Sequence, residues 1–177
     1  FVHGLSKSAS ASDFKAWLTS RWGETNGTLV YNQYDPSNYP SPWWALTHVI
    51  GDAAMSCAAR RSGRWLNAAG TGPVYIYFFQ HELEVIKLFV PDYGVCHGSD
   101  IAMVFNLKVG LWGKGEETLA QQFGKYWTTF AKNGDPNSAA TPEWAPYDSE
   151  TDNYQVLDIP ISNTTALKKE VCDFWDQ

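Results

Sequence analysis

One histidine, His97, is the residue of this sequence best placed to do chemistry. It lies in the run YGVCHGSDI at residues 93–101, with glycines at positions 94 and 98. An imidazole titrates near neutral pH, so it can take a proton from a hydroxyl nucleophile and return it to a leaving group. The run follows a strand-like segment and precedes a short apolar run, a setting that presents a side chain on a loop. We therefore treat His97 as a candidate catalytic base.

The sequence supplies this base with no recognisable nucleophile. A catalytic serine on a sharp strand-to-helix turn has the pattern G-x-S-x-G. No window of the 177 residues fits it, and the run GLSKS at residues 4–8 lacks the last glycine. The sequence therefore resembles part of an enzyme, and we expect it to be a processed product or a truncation, because it also has no initiator methionine.

Length and charge limit the classes of protein and partner. The chain has 177 residues, of which 44% are hydrophobic and 18% charged, and we predict one globular segment over residues 1–177. The net charge is −6 and the pI is about 5.1, which disfavours nucleic acid and anionic membranes as partners. The longest apolar run, residues 74–79, is too short to span a bilayer.

The spacing of cysteines and histidines predicts no metal and no cofactor. Three cysteines match no zinc motif, and three further histidines have no ligand spacing, so we interpret these histidines as structural or surface residues. The residues concerned are Cys57, Cys96 and Cys172, and His3, His48 and His81.

Two glycosylation sequons favour an extracellular or secretory location. They begin at Asn26 and Asn163. Such sequons are weak signals alone, but together with a plausible disulfide they indicate an oxidising compartment. We expect a secreted glycoprotein.

The hydrophobic pattern predicts an α/β chain with an incomplete sheet. The predicted order is helix, helix, strand, histidine loop, helix, strand, helix, and only two strands are clear. Such a short sheet beside so much helix is a second sign of incompleteness. The predicted elements are a helix capped by Ser12 or Asp13 and stopped at Gly23, a loop over 32–40, a helical region from Ser41-Pro42 to about Ala69, a strand over 73–80, a loop ending at His97, a helical turn over 100–105, a helix over 116–133, a strand over 154–159, and a helix capped by Thr164 or Thr165 that ends near Trp175.

Five segments, in order, resemble the C-terminal third of type B carboxylesterases, the family that includes the cholinesterases. Gly51-Asp52 followed by Cys57 is similar to a Gly-Asp-x4-Cys helix. Residues 73–81 (PVYIYFFQH) resemble a strand of the form x-Tyr-x-Tyr-x-Phe-x-His. Residues 94–105 resemble Gly-x-x-His-Gly-x-Glu/Asp-Ile-x-x-Val-Phe. Residues 126–137 (YWTTFAKNGDPN) and 172–175 (CDFW) resemble two further family segments.

This resemblance implies the C-terminal part of an α/β-hydrolase fold and a serine carboxylic-ester hydrolase acting on small esters. It assigns His97 as the general base. In that fold the chain order is serine, acid, histidine, so the serine, the oxyanion hole and the acid are expected in the N-terminal portion or on another chain. This chain alone is then expected to be inactive. The alternative is a non-catalytic, cholinesterase-like adhesion or binding module.

The resemblance also assigns supporting residues. It implies a disulfide between Cys57 and Cys172 and an ion pair between Asp52 and Lys168, where the family usually has arginine in place of the lysine. Cys96 is then a free thiol beside the histidine. Four residues near His97 are candidates to line the substrate pocket, with core packing as the alternative for the side chains; they are Phe89, Tyr93, Cys96 and Ser99.

Overall fold

The chain contains seven α-helices and three short strands in its described residues. A computed structural model describes residues 4–91, 93–108, 110, 111 and 113–177. The helices are α1 (Ala11–Gln33), α2 (Pro42–Gly51), α3 (Cys57–Ala69), α4 (Glu84–Phe89), α5 (Ile101–Val104), α6 (Glu116–Asn133) and α7 (Lys169–Trp175), and the strands are β1 (Tyr77–Phe79), β2 (Tyr154–Leu157) and β3 (Ser162–Thr164). Within these ranges no helix combines the length and the apolar character needed to cross a bilayer.

Two predicted helix starts are confirmed. Ser41 caps α2 with its hydroxyl on the amide of Trp44, and Pro42 occupies the first helical position, where its missing amide hydrogen costs nothing. Helix α6 has the predicted limits, with acidic residues in its first turn and the left-handed residue Gly134 after its end.

Other predicted boundaries are wrong. The cap of α1 is Ser10, which exchanges hydrogen bonds with Asp13 in a capping box. The predicted stop at Gly23 is confirmed as a break in the helix: its backbone is non-helical (φ 79°, ψ 167°), and a second helical stretch follows it to Gln33. The predicted strand over 73–80 pairs regularly only over Tyr77–Phe79. The predicted cap of α7 at Thr164 or Thr165 is also wrong. Helix α7 begins directly after Lys168, and Thr164 belongs to strand β3 (Ser162–Thr164).

The sheet has three strands in the order β1-β2-β3. Strands β1 and β2 run parallel, with Phe78 opposite Val156, and β2 and β3 run antiparallel, with Gln155 opposite Asn163. Strand β1 therefore forms one edge of the sheet in the described part of the chain. The architecture is helix-rich with a small mixed sheet, consistent with part of an α/β fold.

The chain divides into two compact units. One contains the chain up to Arg61 together with Lys168–Gln177, and the other contains Ser62–Leu167. In the second unit, the buried face of α6 carries Leu119, Phe123 and Tyr126, which pack with Met103 and Leu157. The spacing i, i+4, i+7 puts these three side chains on one helical face. Phe130, one turn further along α6, is 47% exposed.

The first unit is fastened at α7 by a disulfide and by buried charges. Cys57 and Cys172 form the implied disulfide, 115 residues apart in sequence. Lys168 contacts the buried carboxylate of Asp52, which also accepts a hydrogen bond from the Tyr34 hydroxyl. The guanidinium of Arg60, fully buried, donates to two further carboxylates on or just after α7, those of Asp173 and Asp176. A buried guanidinium needs such partners, because an unpaired buried charge destabilises the fold strongly.

We predict that the disulfide contributes substantially to stability. Replacing both Cys57 and Cys172 by serine should lower the free energy of unfolding by up to about 4–5 kcal/mol, because the loop that the bond closes is long. Urea unfolding at pH 7 measures this change. The matched control is Cys96→Ser, which removes a free thiol. Equal midpoints for the double variant and the control would contradict the prediction.

Candidate active site

The loop that carries His97 is held by local hydrogen bonds. The amide of Ser99 donates to the carbonyl of Cys96, and the amide of Ile101 donates to that of Gly98, at 3.1 Å each. The Ser99 hydroxyl also donates to the Cys96 carbonyl, at 2.6 Å. Gly98 has a φ of 85°, a left-handed conformation that favours glycine. These turns leave the imidazole of His97 exposed on the loop.

A tyrosine on the sheet fastens the far side of this loop. The Tyr77 hydroxyl on β1 donates to the Asp100 carboxylate at 3.0 Å, three residues after His97. Asp100 directly precedes α5, but its side chain makes no capping hydrogen bond to that helix. Burial and the charge of Asp100 raise the pKa of Tyr77, so its hydroxyl stays protonated and able to donate.

A buried carboxylate holds both ends of the segment that contains His97. One oxygen of Glu116 accepts from the amide of Glu84, and the other accepts from the amide of Gly113, at 2.8 Å each. Glu116 is fully buried. We call residues 84–113 the histidine segment. Its two ends therefore meet at one side chain on α6.

The glycine at the second attachment point is required by space. A Cβ at position 113 would lie 2.6 Å from a Glu116 oxygen and 2.6 Å from Glu84 Cγ. A side chain there would separate the histidine segment from the carboxylate that holds it.

His81 connects Glu116 to the sheet. Its Nε2 lies 3.0 Å from Glu116 Oε1, and its Nδ1 lies 2.9 Å from Asp158 Oδ1. His81 follows β1 and Asp158 follows β2, and the carboxyl ends of parallel strands lie at the same edge of a sheet. The structural role that the sequence suggested for His81 agrees with these contacts.

Opposing effects set the ionisation of Glu116. Burial acts to raise the pKa of its carboxyl, but hydrogen bonds from the Glu84 and Gly113 amides and from His81 outweigh burial. The pKa of Glu116 therefore lies below its ordinary value of 4.5, and the carboxylate is charged at neutral pH.

The four candidate pocket residues lie in different environments. Phe89, at the end of α4, and Tyr93 are exposed, at 72% and 45%. Cys96 is a half-buried free thiol, and Ser99 is buried beneath the turn. The structure brings Cys96 and Ser99 together through the hydroxyl contact described above. A role in substrate binding remains a prediction for all four residues.

An aromatic cavity of about 340 Å³ opens elsewhere in the same unit. The rings of Tyr75, Tyr77, Trp127, Phe130 and Trp144 line it. Its lining contains no histidine, cysteine, serine or carboxylate, so the cavity offers mainly apolar and aromatic contact. The described residues also contain no group of three or more histidine, cysteine, aspartate or glutamate side chains able to hold a metal ion.

The sequence predicted a role for His97, which stays a prediction, and it did not reveal the groups that hold its loop. Glu116 was recognisable only as an acidic residue in a first helical turn, where the helix dipole favours it. Its contacts with Glu84 and Gly113 join positions 32 and 3 residues away. An acidic residue just after Gly113 and Gly115, at the start of an amphipathic helix, was the available signal.

The helix-rich architecture with a small mixed sheet is consistent with part of an α/β fold, and sequence comparison identifies the family. The model of the carboxylesterase family matches residues 5–175, nearly the whole chain. The chain belongs to the carboxylesterase family.

Several characterised relatives share about a third of their aligned residues with the chain. It is 33% identical over 137 residues to an acetylcholinesterase of Gallus gallus and 33% identical over 142 residues to carboxylesterase 5A of Mus musculus. It is 32% identical over 154 residues to a medium-chain fatty acyl-CoA hydrolase precursor of Anas platyrhynchos. These alignments cover 74%, 73% and 84% of this chain but only 18%, 24% and 27% of the relatives. The chain thus spans about a quarter or less of their length.

We predict that Glu116 stabilises the fold in its charged form. Glu116→Gln should lower the free energy of unfolding at pH 7 by about 1–3 kcal/mol, because an amide cannot accept from both backbone donors with two oxygens. The matched control is Glu117→Gln, the adjacent exposed residue paired with Lys108, which should change it by less than about 0.5 kcal/mol.

The same carboxylate predicts a pH dependence. Because folding lowers the pKa of Glu116, its contribution is fully present above the ordinary value of 4.5 and is lost as the pH falls through the lower pKa of the folded state. Urea midpoints between pH 7 and pH 3 should therefore fall more steeply for the native chain than for Glu116→Gln. Parallel profiles would refute this assignment.

Proposed function

We propose that this chain is the C-terminal portion of a serine carboxylic-ester hydrolase, in which His97 is the general base. The observation that carries the proposal is the placement of His97: exposed on a loop whose segment is held at both ends by Glu116 and at Asp100 by Tyr77. Such support keeps an imidazole in place without burying it. Membership in the carboxylesterase family supplies the class of reaction.

The proposed reaction uses a serine outside this sequence. His97 takes the proton of the serine hydroxyl while its oxygen attacks the ester carbonyl, and then gives that proton to the leaving alcohol. In the second half, His97 takes a proton from water, which attacks the acyl-enzyme, and the proton returns to the serine as the acid leaves. Positioned proton transfer of this kind contributes about 10²–10⁴-fold to the rate.

The central prediction concerns His97 in the full-length protein. His97→Gln should lower kcat for a small p-nitrophenyl ester by about 10²-fold or more, because glutamine cannot accept the serine proton. The matched control is His48→Gln, an exposed histidine on α2 in the other unit, which should retain turnover. The 177-residue chain alone should show no turnover above buffer.

Two results would contradict the proposal in different ways. Turnover by the isolated chain would show that its own residues complete the site. A full-length protein that hydrolyses no ester and is not labelled by a fluorophosphonate, a reagent for activated serines, would favour the non-catalytic binding module.

We further propose that the chain is a secreted glycoprotein. The disulfide between Cys57 and Cys172 is compatible with an oxidising compartment. Asn26 on α1 and Asn163 on β3 are both exposed, as an attached glycan requires.

Glycosylation is tested by expression in a secreting eukaryotic cell. Enzymatic removal of N-glycans should lower the mass of the secreted chain. Asn26→Gln and Asn163→Gln should each reduce this loss of mass by the mass of one glycan. Asn153→Gln, which lies outside any sequon, is the control. An unchanged mass after glycan removal would refute the assignment.

A further inference from the structure

The three cysteines of the sequence offer a choice of disulfide. Cys57 pairs with Cys172, and Cys96, next to His97, stays a free thiol. Three thiols can form three different single disulfides, and two of these include Cys96. Either one would tie the residue before the candidate base to a distant segment and leave α7 without its covalent link. The native pair therefore has to be selected as the chain oxidises.

The lengths of the three possible loops favour the wrong pairs. Cys96 lies about a third of the way along the 115 residues that separate the native cysteines. The probability that two points of a flexible chain meet falls roughly as the −3/2 power of the number of residues between them. In an unfolded chain, Cys57–Cys96 is therefore favoured about fivefold over the native pair, and Cys96–Cys172 about twofold. Contacts made by the fold have to reverse this order.

Ion pairs at α7 lie on both sides of the native disulfide. One pair precedes Cys57 and Cys172 in sequence, and the other pairs follow them. We call these contacts the α7 ion pairs, because each joins the stretch around Cys57 to the stretch around Cys172; they are made by Asp52, Arg60, Arg61, Lys168, Asp173 and Asp176. Docking through the α7 ion pairs brings the two native sulfurs together.

A π turn aligns the first ion pair with the disulfide. The turn covers Asp52–Ser56, and the amide of Cys57 donates to the carbonyl of Asp52. In a regular α-helix, side chains five positions apart point about 140° away from each other. The wider π turn brings such side chains closer to one face. The Asp52 carboxylate and the Cys57 sulfur accordingly both reach partners at α7.

Arg60 makes the correct docking of α7 strongly favourable. Its side chain is fully buried, and its guanidinium donates to Asp173 at 2.9 Å and to Asp176 at 3.3 Å. Because removing the partners of a buried charge is strongly destabilising, an arrangement that buries Arg60 but places α7 elsewhere is disfavoured. Helix α7 has only seven residues and is marginal in water by itself, so its place depends on such contacts.

We infer that the α7 ion pairs select the disulfide: they dock Cys172 beside Cys57 before the bond forms, and so keep Cys96 reduced. The oxidant is a small-molecule disulfide, as in an oxidising compartment. The thiolate of one native cysteine attacks it, forms a mixed disulfide and releases one thiol. The thiolate of the other native cysteine then attacks the protein sulfur and releases the second thiol. Two cysteines are oxidised, one small disulfide is reduced, and the two cysteine protons pass to the released thiolates.

The experiment oxidises the full-length protein, first reduced and unfolded, with a mixture of oxidised and reduced glutathione at pH 8. Alkylation traps the free thiols at early times, and proteolysis with mass spectrometry then maps the pairing of the three cysteines. The native sequence should form mainly Cys57–Cys172. Asp173→Asn/Asp176→Asn removes two carboxylate partners of Arg60. It should shift the ratio of Cys57–Cys96 to the native pair towards the about fivefold excess that loop length predicts.

The matched control is Glu170→Gln, which removes an exposed charge from the same helix and should leave the pairing unchanged. A second variant, Asp52→Asn/Lys168→Gln, removes both charges of one ion pair, so that neither partner stays charged. It should shift the pairing in the same direction by a smaller factor. Alkylation fixes the sulfur pairing before folding is complete, so a variant that folds poorly still gives a result.

Removing the competing thiol distinguishes selection from simple stabilisation. With Cys96→Ser added, Asp173→Asn/Asp176→Asn should form the native disulfide as fully as the native sequence does, because the competitor is gone. A native pair that is still lost in that background would show that the ion pairs stabilise the bond and do not select it. An unchanged ratio in the variant with Cys96, or the same shift in Glu170→Gln, would also overturn the inference.

The readout separates this inference from the proposed function. Sulfur pairing is measured without any ester, so selection by the α7 ion pairs stands or falls whether or not His97 acts as a base.

Discussion

The arrangement around His97 depends on the buried carboxylate of Glu116. The histidine segment, thirty residues long, has little intrinsic stability, because its short helices would be marginal in water on their own. Glu116 holds its first and last residues within one hydrogen-bonded cluster and joins that cluster to the sheet through His81. Because the two ends of the histidine segment are held together, the conformational entropy of the segment is reduced. His97, within the segment, stays exposed.

The charged form of Glu116 also makes the stability of the fold depend on pH. A carboxylate with three hydrogen-bond donors is stabilised in the pH range where an imidazole is able to accept a proton. Tyr77 supports the same loop from a second direction, so that the fold fixes the segment at its base and beyond the histidine. The first unit uses a related solution, since buried charges and a disulfide fasten α7 there.

The sequence predicted the amphipathic helix α6 and the family, because each depends on local spacing. The role of His97 as a base stays a prediction. Helix α4 was interpreted as a loop because its cap residue, Leu83, cannot cap; the amide of Glu84 is satisfied by Glu116, far along the chain. The strand over 73–80 was predicted too long because regular pairing depends on where β2 lies. Contacts such as Tyr77 with Asp100 arise only when strand and loop meet in space, and no spacing rule reveals them.

The open edge of β1 has a topological consequence. Because β1 and its neighbour β2 are parallel, a strand that extended this parallel arrangement would have to arrive through a crossover of about a dozen residues or more, never through a tight hairpin. A covering helix usually accompanies such a crossover. A continuation of the sheet in parallel beyond β1 would therefore come as a layer of helix and strand.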